Sequence, residues 1–135
     1  MIHFERDSFQ KQKFNDQQIL QLLGNAKRDL HIAKKDDFAE VKFSYSYSAF
    51  IKAGIALIAK TGQVKVKSNQ GHHFKIIEKM SQILEDVEIR QIGDAMRIKR
   101  NLDFYGGGIF ISGKESNDYC RFVEKVVSRI EKVIG

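Results

Sequence analysis

The sequence predicts an all-α protein, an antiparallel up-and-down bundle of four to five helices. The chain of 135 residues contains no proline, the residue that most often interrupts a helix. Apolar residues recur with the 3.6-residue period of an amphipathic helix in several segments, and the connections between these segments are mostly short. Hydrophobic residues make up 42% of the chain and charged residues 30%, as in a soluble globular protein. One domain of this length buries roughly two-thirds of its unfolded surface, which is enough for a self-sufficient core.

The N-terminal residues differ from the rest of the chain. They are mostly polar, with three isolated aromatic rings, those of Phe4, Phe9 and Phe14. This pattern predicts an N-terminal arm over residues 1–15, extended or partly helical, that is pinned by its rings to a bundle domain over residues 16–135.

The first helix of the bundle is predicted to begin at Asp16, whose carboxylate can cap the helix N-terminus. It is predicted to end near Lys34 and Lys35, because cations are favourable at a helix C-terminus. Its apolar stripe consists of Ile19, Leu20, Leu22, Leu23, Ala26 and Leu30.

The second helix is predicted to be capped by Asp36 or Asp37 and to run to about Lys60. Apolar residues cover more than one of its sides, which is typical of a helix at the centre of a bundle. Thr61 and Gly62 are predicted to end it, with Gly62 in the left-handed conformation.

The connection over residues 63–70 alternates Val64 and Val66 with Lys65 and Lys67. Such alternation is typical of a strand. No second strand is evident for it to pair with, so the sequence predicts a basic loop.

Between residues 60 and 79 the chain carries five lysines against one glutamate. A run of this kind is usually a solvated face of the protein. The alternative is a contact surface for a polyanion, formed by Lys65, Lys67 and Lys75.

Residues 71–73, Gly-His-His, are predicted to open a third helix, and a fourth follows residues 85–86 after a turn or a kink. Three glycines at 106–108 are predicted to end the fourth helix, and residues 109–111 to pack beneath it, because three exposed apolar residues in a row are unusual. The residues expected to anchor the fourth helix are Ile92, Ala95, Met96, Ile98 and Leu102.

The fifth helix carries the cleanest apolar stripe of the chain. Ser112 and Glu115 have the spacing of a capping box at its start, with Ser116 or Asn117 as alternative caps. Cys120 falls within this helix, and we expect it to be a small buried hydrophobic residue rather than a nucleophile.

The composition also bears on the compartment and on the partners. A single cysteine cannot form an internal disulfide, the first residues lack an apolar signal core, and no apolar run approaches about 18 residues. We therefore expect a cytoplasmic protein that does not enter the membrane. The balance of 23 Lys and Arg against 17 Asp and Glu gives a net charge of +6, which is compatible with a nucleic acid or nucleotide partner.

A polar face is predicted near the end of the fourth helix, since residues three or four apart share one face. Its members are Arg97, Arg100, Asn101 and Tyr105. A guanidinium binds phosphate through two parallel hydrogen bonds and keeps its charge, so this face is a candidate phosphate-binding or catalytic site. The alternative is a solvated surface on which Asp94 and Asp103 pair with the arginines.

The adjacent pair His72 and His73 is a weak candidate for a metal site. Adjacent side chains on a helix diverge too far to share one ion easily. We therefore predict no metal and no cofactor, and we expect these histidines to begin the helix or to pack against Tyr45 or Tyr47.

The motif resembles the signature of the HEPN superfamily, the higher eukaryote and prokaryote nucleotide-binding helical domains. Its sequence is Arg97-x-x-Arg100-Asn101-x-x-x-Tyr105-Gly106. Tyr45-Ser-Tyr-Ser-Ala49 in a central helix and Gly71-His72-His73 precede it in an order similar to that of one bacterial and archaeal branch. The resemblance covers the chain from about residue 16 onward and implies a HEPN-like bundle.

The resemblance implies an RNA- or nucleotide-associated component of a toxin–antitoxin or defence system, with a minimal nucleotidyltransferase as antitoxin partner. In its strongest form the activity is that of a metal-independent endoribonuclease, in which the arginine stabilises the phosphate charge and a histidine handles protons. Tyr105 stands where that histidine is expected, and a phenol is a poor base at neutral pH. The alternative is a non-catalytic nucleotide-binding or adaptor module that pairs with a nucleotidyltransferase or another protein. A third possibility is a structural helical domain.

We also expect a homodimer, because two motif faces brought together form a deeper and more positive cleft than one convex face.

Overall fold

The computed structural model describes residues 2–69, 71–105 and 110–135, and for residues 103–105 it describes the backbone alone. In these ranges the protein is a bundle of five helices with a small two-stranded sheet, so the predicted all-α class is confirmed. The elements in chain order are β1 (Phe9–Lys11), α1 (Asp16–Lys35), α2 (Ala39–Gly62), β2 (Val64–Val66), α3 (His72–Ile83), α4 (Val87–Tyr105) and α5 (Gly113–Ile134).

Helix α2 is the centre of the bundle, as predicted, and it packs against α1, α3 and α5. Its largest fully buried side chains include Phe43, Phe50, Leu57 and Ile58. Gly54 lets α3 approach closely, because a Cβ at this position would lie 2.7 Å from Ile76 Cγ2 and closer still to Met80 Sδ.

The helix ends differ in detail from the prediction. Asn15, and not Asp16, caps α1: its side chain accepts the backbone N–H of Gln18, and the Gln18 side chain accepts the backbone N–H of Asn15. This reciprocal capping box satisfies two N–H groups, one more than a lone Asp16 cap could satisfy. Helix α1 ends at Lys35, as predicted.

At the next connection Phe38, and not Asp36 or Asp37, occupies the N-cap of α2. The carboxylate of Asp36 instead accepts the N–H of Phe38 at 2.8 Å, one step before the helix. The buried ammonium of Lys42 donates to the carbonyl of Ala33 at 2.7 Å and so satisfies a carbonyl in the last turn of α1.

The end of α2 corrects the role predicted for Gly62. Gly62 is the last residue of the helix, and Gln63 takes the left-handed conformation with φ 49°. The Gln63 side chain is bonded to the carbonyl of Ala59 and to the N–H of Phe14, and these two bonds hold its unfavourable backbone in place. Gly62 lacks a side chain for another reason: the ring of Phe4 would lie 2.5 Å from a Cβ there.

The connection after α2 contains a short strand where a basic loop was predicted. Val64 to Val66 form β2, which pairs antiparallel with β1 in the N-terminal arm, with Phe9 opposite Val66 and Lys11 opposite Val64. The partner strand lies more than fifty residues earlier in the chain, so the local sequence did not reveal it. The expectation that rings pin the arm is confirmed for Phe9, which is buried, and for Phe4, whose ring packs against it at 5.3 Å.

In the second half of the chain, the turn between α3 and α4 and the start of α5 agree with the prediction. Helices α3 and α4 are separate, and Glu85 has a φ of 51° in the turn between them. Ser112 caps α5 by accepting the N–H of Glu115, and Cys120 is buried, both as predicted. None of the helices in the described ranges combines the length and apolar character needed to cross a bilayer.

The prediction was wrong for part of the apolar face of α4. Met96 is buried and Ile92 packs partly against the core, but Ala95, Ile98 and Leu102 are exposed. The buried side of α4 is narrow, because the helix packs mainly against α3 and only slightly against α2. After the helix, Ile111 is buried as expected, whereas Phe110 is 91% exposed. The glycine stop at 106–108 and Ile109 lie outside the described residues.

Candidate functional site: a cationic cleft between α3 and α4

A cleft of about 670 Å³ opens between the start of α3 and the last turns of α4. Three of the four residues of the predicted polar face line it, and the start of α3 forms the other side. The lining residues are Asn69, Gly71, His72, His73, Phe74, Arg97, Arg100 and Asn101.

Arg97 is held in a defined position within the cleft. Its Nε donates to Asp94 Oδ1 at 3.1 Å, which is the ion pair expected of the solvated alternative. Its guanidinium also lies 5.6 Å from the centre of the Phe74 ring, where a cation is attracted to the aromatic face. Arg90 lies 5.5 Å from the same ring. Because these contacts fix the guanidinium in advance, a ligand that binds Arg97 loses less entropy in ordering it.

Arg100 lies against α2. Its guanidinium is 6.0 Å from the centre of the Tyr47 ring, so α2 helps to place the second arginine of the motif. The charges of Arg97 and Arg100 both act on His73 and on Tyr47. The positive charges of the two arginines are therefore close enough to act on the same neighbouring groups.

His73 and Tyr47 form a neutral pair beneath the arginines. The Tyr47 hydroxyl and His73 Nδ1 are 2.9 Å apart, which confirms the predicted packing of a histidine against Tyr47. Burial, followed by the charges of His72, Arg100 and Arg97, lowers the pKa of His73 to about 4. Burial raises the pKa of Tyr47 in spite of the opposing effect of the arginines. Both groups are therefore uncharged at neutral pH.

His72 has a different environment. Its Nδ1 lies 2.8 Å from the carbonyl oxygen of Asn69, and its ring meets that of His73 edge-on at 4.4 Å. The Asn69 side chain is itself tied to the N-terminal arm, since its amide donates to the carbonyl of Asp7 at 2.8 Å. Both histidines were expected to begin the helix or to pack against a tyrosine, and their position beside the arginines was not predicted. The motif spacing gave no signal for this, because α3 and α4 are separate elements.

The predicted polyanion-contact lysines do not form one surface. Lys67 and Lys75 line a neighbouring pocket of about 270 Å³ that shares Asn69, Gly71, His72 and Phe74 with the cleft. Lys75 is already balanced by Glu5 at 3.5 Å and Glu78 at 3.6 Å. Lys65 lies elsewhere, on an apolar pocket with Phe14, Leu22 and Ile55.

The same run also includes Lys79, which is only 3% exposed and pairs with Glu5 at 2.9 Å. Its ammonium lies about 6 Å from the rings of Phe4 and Phe9, so this lysine helps to hold the N-terminal arm on the bundle. The run over residues 60–79 is therefore divided between strand, core and cleft, and Lys67 is the predicted contact lysine whose position fits the cleft best.

Two predictions for this region lie outside what the structure describes. The side chains of Tyr105 and Asp103 belong to the part of α4 for which the backbone alone is described. The role of Tyr105 therefore stays a prediction.

As for metals, no group of three or more His, Cys, Asp or Glu is placed to hold an ion in the described parts of the chain. The lining of the cleft combines two guanidiniums, two amides and two imidazoles, and this set contains no carboxylate. Such a lining is suited to an anion.

Comparison of the chain with protein-family models, with curated proteins and with solved structures finds no match. The fold and the site together define the class of protein: a helical bundle with a cationic cleft that is lined in part by histidines.

Proposed function

We propose that the cleft binds the phosphate groups of RNA or of a nucleotide. The observation that supports this most strongly is the convergence of Arg97 and Arg100 in one cleft with the start of α3. Guanidiniums bind phosphate oxygens through charge-assisted hydrogen bonds, and Asn101 can add an amide donor. The net charge of +6 adds a long-range attraction for polyanions.

The start of α3 supports the same assignment. Its N-cap is Gly71, which has no side chain to satisfy the first N–H groups of the helix, and the first turn carries no acidic residue. A helix N-terminus has a partial positive charge and attracts anions. Here that partial charge adds to those of Arg97 and Arg100.

In the stronger form of the proposal, the protein is a metal-independent endoribonuclease in a toxin–antitoxin or defence system, with a minimal nucleotidyltransferase as partner and the cytoplasm as its compartment. The resemblance of the motif to HEPN proteins supports this form. Tyr105 in place of the usual histidine argues against full activity.

The second candidate is a non-catalytic nucleotide-binding or adaptor module. The state of His73 favours it, because an imidazole bonded to Tyr47 and neutral down to about pH 4 suits a fixed binding surface better than proton transfer.

We also propose that the protein is a homodimer that pairs through α4. Its exposed side chains at 87, 91, 95, 98 and 102 follow at helical spacing, and Val87, Ile98 and Leu102 among them are large and apolar. This apolar face lies next to the face of Arg97 and Asn101 on the same helix. Pairing there brings two clefts close to one two-fold axis.

Arginine substitutions test the binding proposal. We expect Arg97→Ala and Arg100→Ala each to weaken binding of a short single-stranded RNA by about tenfold, or about 1.4 kcal/mol. The dependence of affinity on salt should also become less steep, because each lost phosphate contact releases about one counterion fewer. Fluorescence anisotropy over a range of salt concentrations measures both.

Arg121→Ala is the matched control, since Arg121 is exposed on α5 and pairs only with the surface carboxylate Asp118 among the described residues. It should bind as the unaltered protein does. Normal binding by both cleft variants would contradict the proposal, and so would equal weakening in all three. Melting temperatures of the three variants show whether any loss comes from unfolding.

A further inference from the structure

The hydrogen bond to Asn69 fixes the protonation pattern of His72. The carbonyl oxygen of Asn69 lies 2.8 Å from Nδ1, and a carbonyl can only accept a hydrogen bond. Nδ1 must therefore carry the hydrogen. In the neutral ring this leaves Nε2 as the nitrogen with the free lone pair, and it is the nitrogen that takes up a proton.

The position of Asn69 is itself fixed by three contacts. Its backbone N–H donates to the carbonyl of Lys67 at 2.8 Å, its side chain donates to Asp7, and its carbonyl accepts the N–H of His72 at 3.2 Å. The arm and the segment after β2 thus orient the imidazole of His72 from behind, in the way that a backbone carbonyl orients a metal-binding or catalytic histidine.

We propose that His72 is an anion-binding residue of the cleft, whose imidazolium donates the Nε2 hydrogen to a bound phosphate while Nδ1 stays bonded to Asn69. The inference rests on the proposed phosphate-binding function and assigns to it a residue outside the arginine motif. Because the imidazole must carry a proton on Nε2 to donate it while Nδ1 stays bonded to Asn69, binding in this way is coupled to the uptake of one proton by His72. Binding should therefore strengthen as the pH falls through the range in which imidazoles titrate.

The surroundings of His72 favour this coupling. The charged and titratable groups that line the same two pockets are His73 and Lys75 on α3, Arg97 and Arg100 on α4 and Lys67 after β2. Behind them, Asp94 pairs with Arg97, Glu5 and Glu78 pair with Lys75, Tyr47 is hydrogen-bonded to His73, and Asp7 in the arm offers its backbone carbonyl to Asn69. An anion bound among these groups would lie close to the imidazole of His72 and would favour a positive charge on it. His73 does not compete for this role, because it remains neutral until about pH 4 and its Nδ1 is bonded to Tyr47.

The test compares the affinity of the full chain for a short 2′-O-methyl oligouridylate at about pH 5.5 and about pH 8. This probe cannot be cleaved through a 2′-hydroxyl, and neither its phosphodiesters nor its bases titrate in this range. The unaltered protein should bind several-fold more tightly at the lower pH, and at most about tenfold per pH unit, because one proton is taken up.

His72→Asn is the informative variant, since an asparagine amide can still donate to the carbonyl of Asn69 but has no group that titrates. Its affinity should not change with pH and should match that of the unaltered protein at about pH 8. His31→Asn, the same substitution at an exposed site on α1, should keep the full pH dependence. Imidazole ¹⁵N chemical shifts at about pH 8 should show the hydrogen of His72 on Nδ1.

The inference is overturned if the affinity of His72→Asn depends on pH as strongly as that of the unaltered protein. It is also overturned if the hydrogen of the neutral His72 ring is found on Nε2 at about pH 8. Either result leaves the arginine-based proposal standing, provided that Arg97→Ala and Arg100→Ala still weaken binding. Failure of the unaltered protein to bind the probe at both pH values overturns the proposed function and the inference together. The melting temperature of His72→Asn, compared with that of the unaltered protein, shows whether the variant is folded.

Discussion

Among single residues, His73 in the cleft makes the stability of the fold depend on pH. Its pKa is lowered to about 4, whereas in the unfolded chain an imidazole titrates near 6.5. Well above pH 6.5 both states hold the neutral ring, and the stabilising contribution of this residue is fully present. As the pH falls from about 6.5 to about 4, the unfolded chain takes up a proton that the folded protein does not, so this contribution is lost.

We therefore expect the free energy of unfolding to fall by about 1–2 kcal/mol between pH 7 and pH 5, with allowance for the partial solvation of the ring. Urea unfolding at the two pH values measures this. The fall should be smaller in His73→Gln, which lacks the titrating group, and unchanged in His31→Gln, whose histidine is exposed. An equal fall in His73→Gln and in the unaltered protein would show that the effect comes from other groups.

At the scale of the helix, two glycines have opposite roles that composition cannot distinguish. Gly54 in α2 faces Ile76 and Met80 of α3 across a close helix contact, whereas Gly24 in α1 has open space where a Cβ would be. Gly54→Ala should lower the free energy of unfolding by about 1–3 kcal/mol, because the added methyl overpacks the core.

Gly24→Ala should raise the free energy of unfolding by about 0.5–1 kcal/mol, because alanine favours a helix over glycine and nothing obstructs its methyl group. Chemical denaturation of the two variants and of the unaltered protein gives both differences in one experiment. Stabilisation by Gly54→Ala would mean that α2 and α3 are farther apart than the structure places them.

At the scale of the whole molecule, the exposed apolar face of α4 is the feature to test for self-association. Ile98 is 52% exposed and Leu102 is 56% exposed, although the sequence predicted both to lie in the core. If two copies pair through this face, Leu102→Glu should convert the dimer to a monomer, because an unpaired carboxylate buried at an interface costs several kcal/mol.

Light scattering at micromolar concentration measures the mass of each protein. Leu20→Glu is the matched control, because Leu20 is equally exposed, at 55%, on α1. We expect a dimer for the unaltered protein and for Leu20→Glu, and a monomer for Leu102→Glu. A monomeric unaltered protein, or a dimer that survives in Leu102→Glu, would exclude α4 as the interface.

Local sequence patterns were enough to predict the five helices, the central position of α2 and the grouping of Arg97, Arg100 and Asn101 on one face. These features depend on backbone geometry that acts over a few residues, because a 3.6-residue period places side chains three or four apart on the same side. A motif of this kind can therefore be recognised before any tertiary contact is known.

Which separate elements contact one another became clear only from the folded molecule. It paired β1 with β2, placed His72 and His73 beside the arginines, buried Lys79 and left Ile98 and Leu102 exposed. Strand pairing and burial depend on a partner that is distant in the chain, and a periodic pattern carries no information about that partner. The apolar side of α4 illustrates this, because its pattern gave the amphipathic helix but not how much of that side another helix covers.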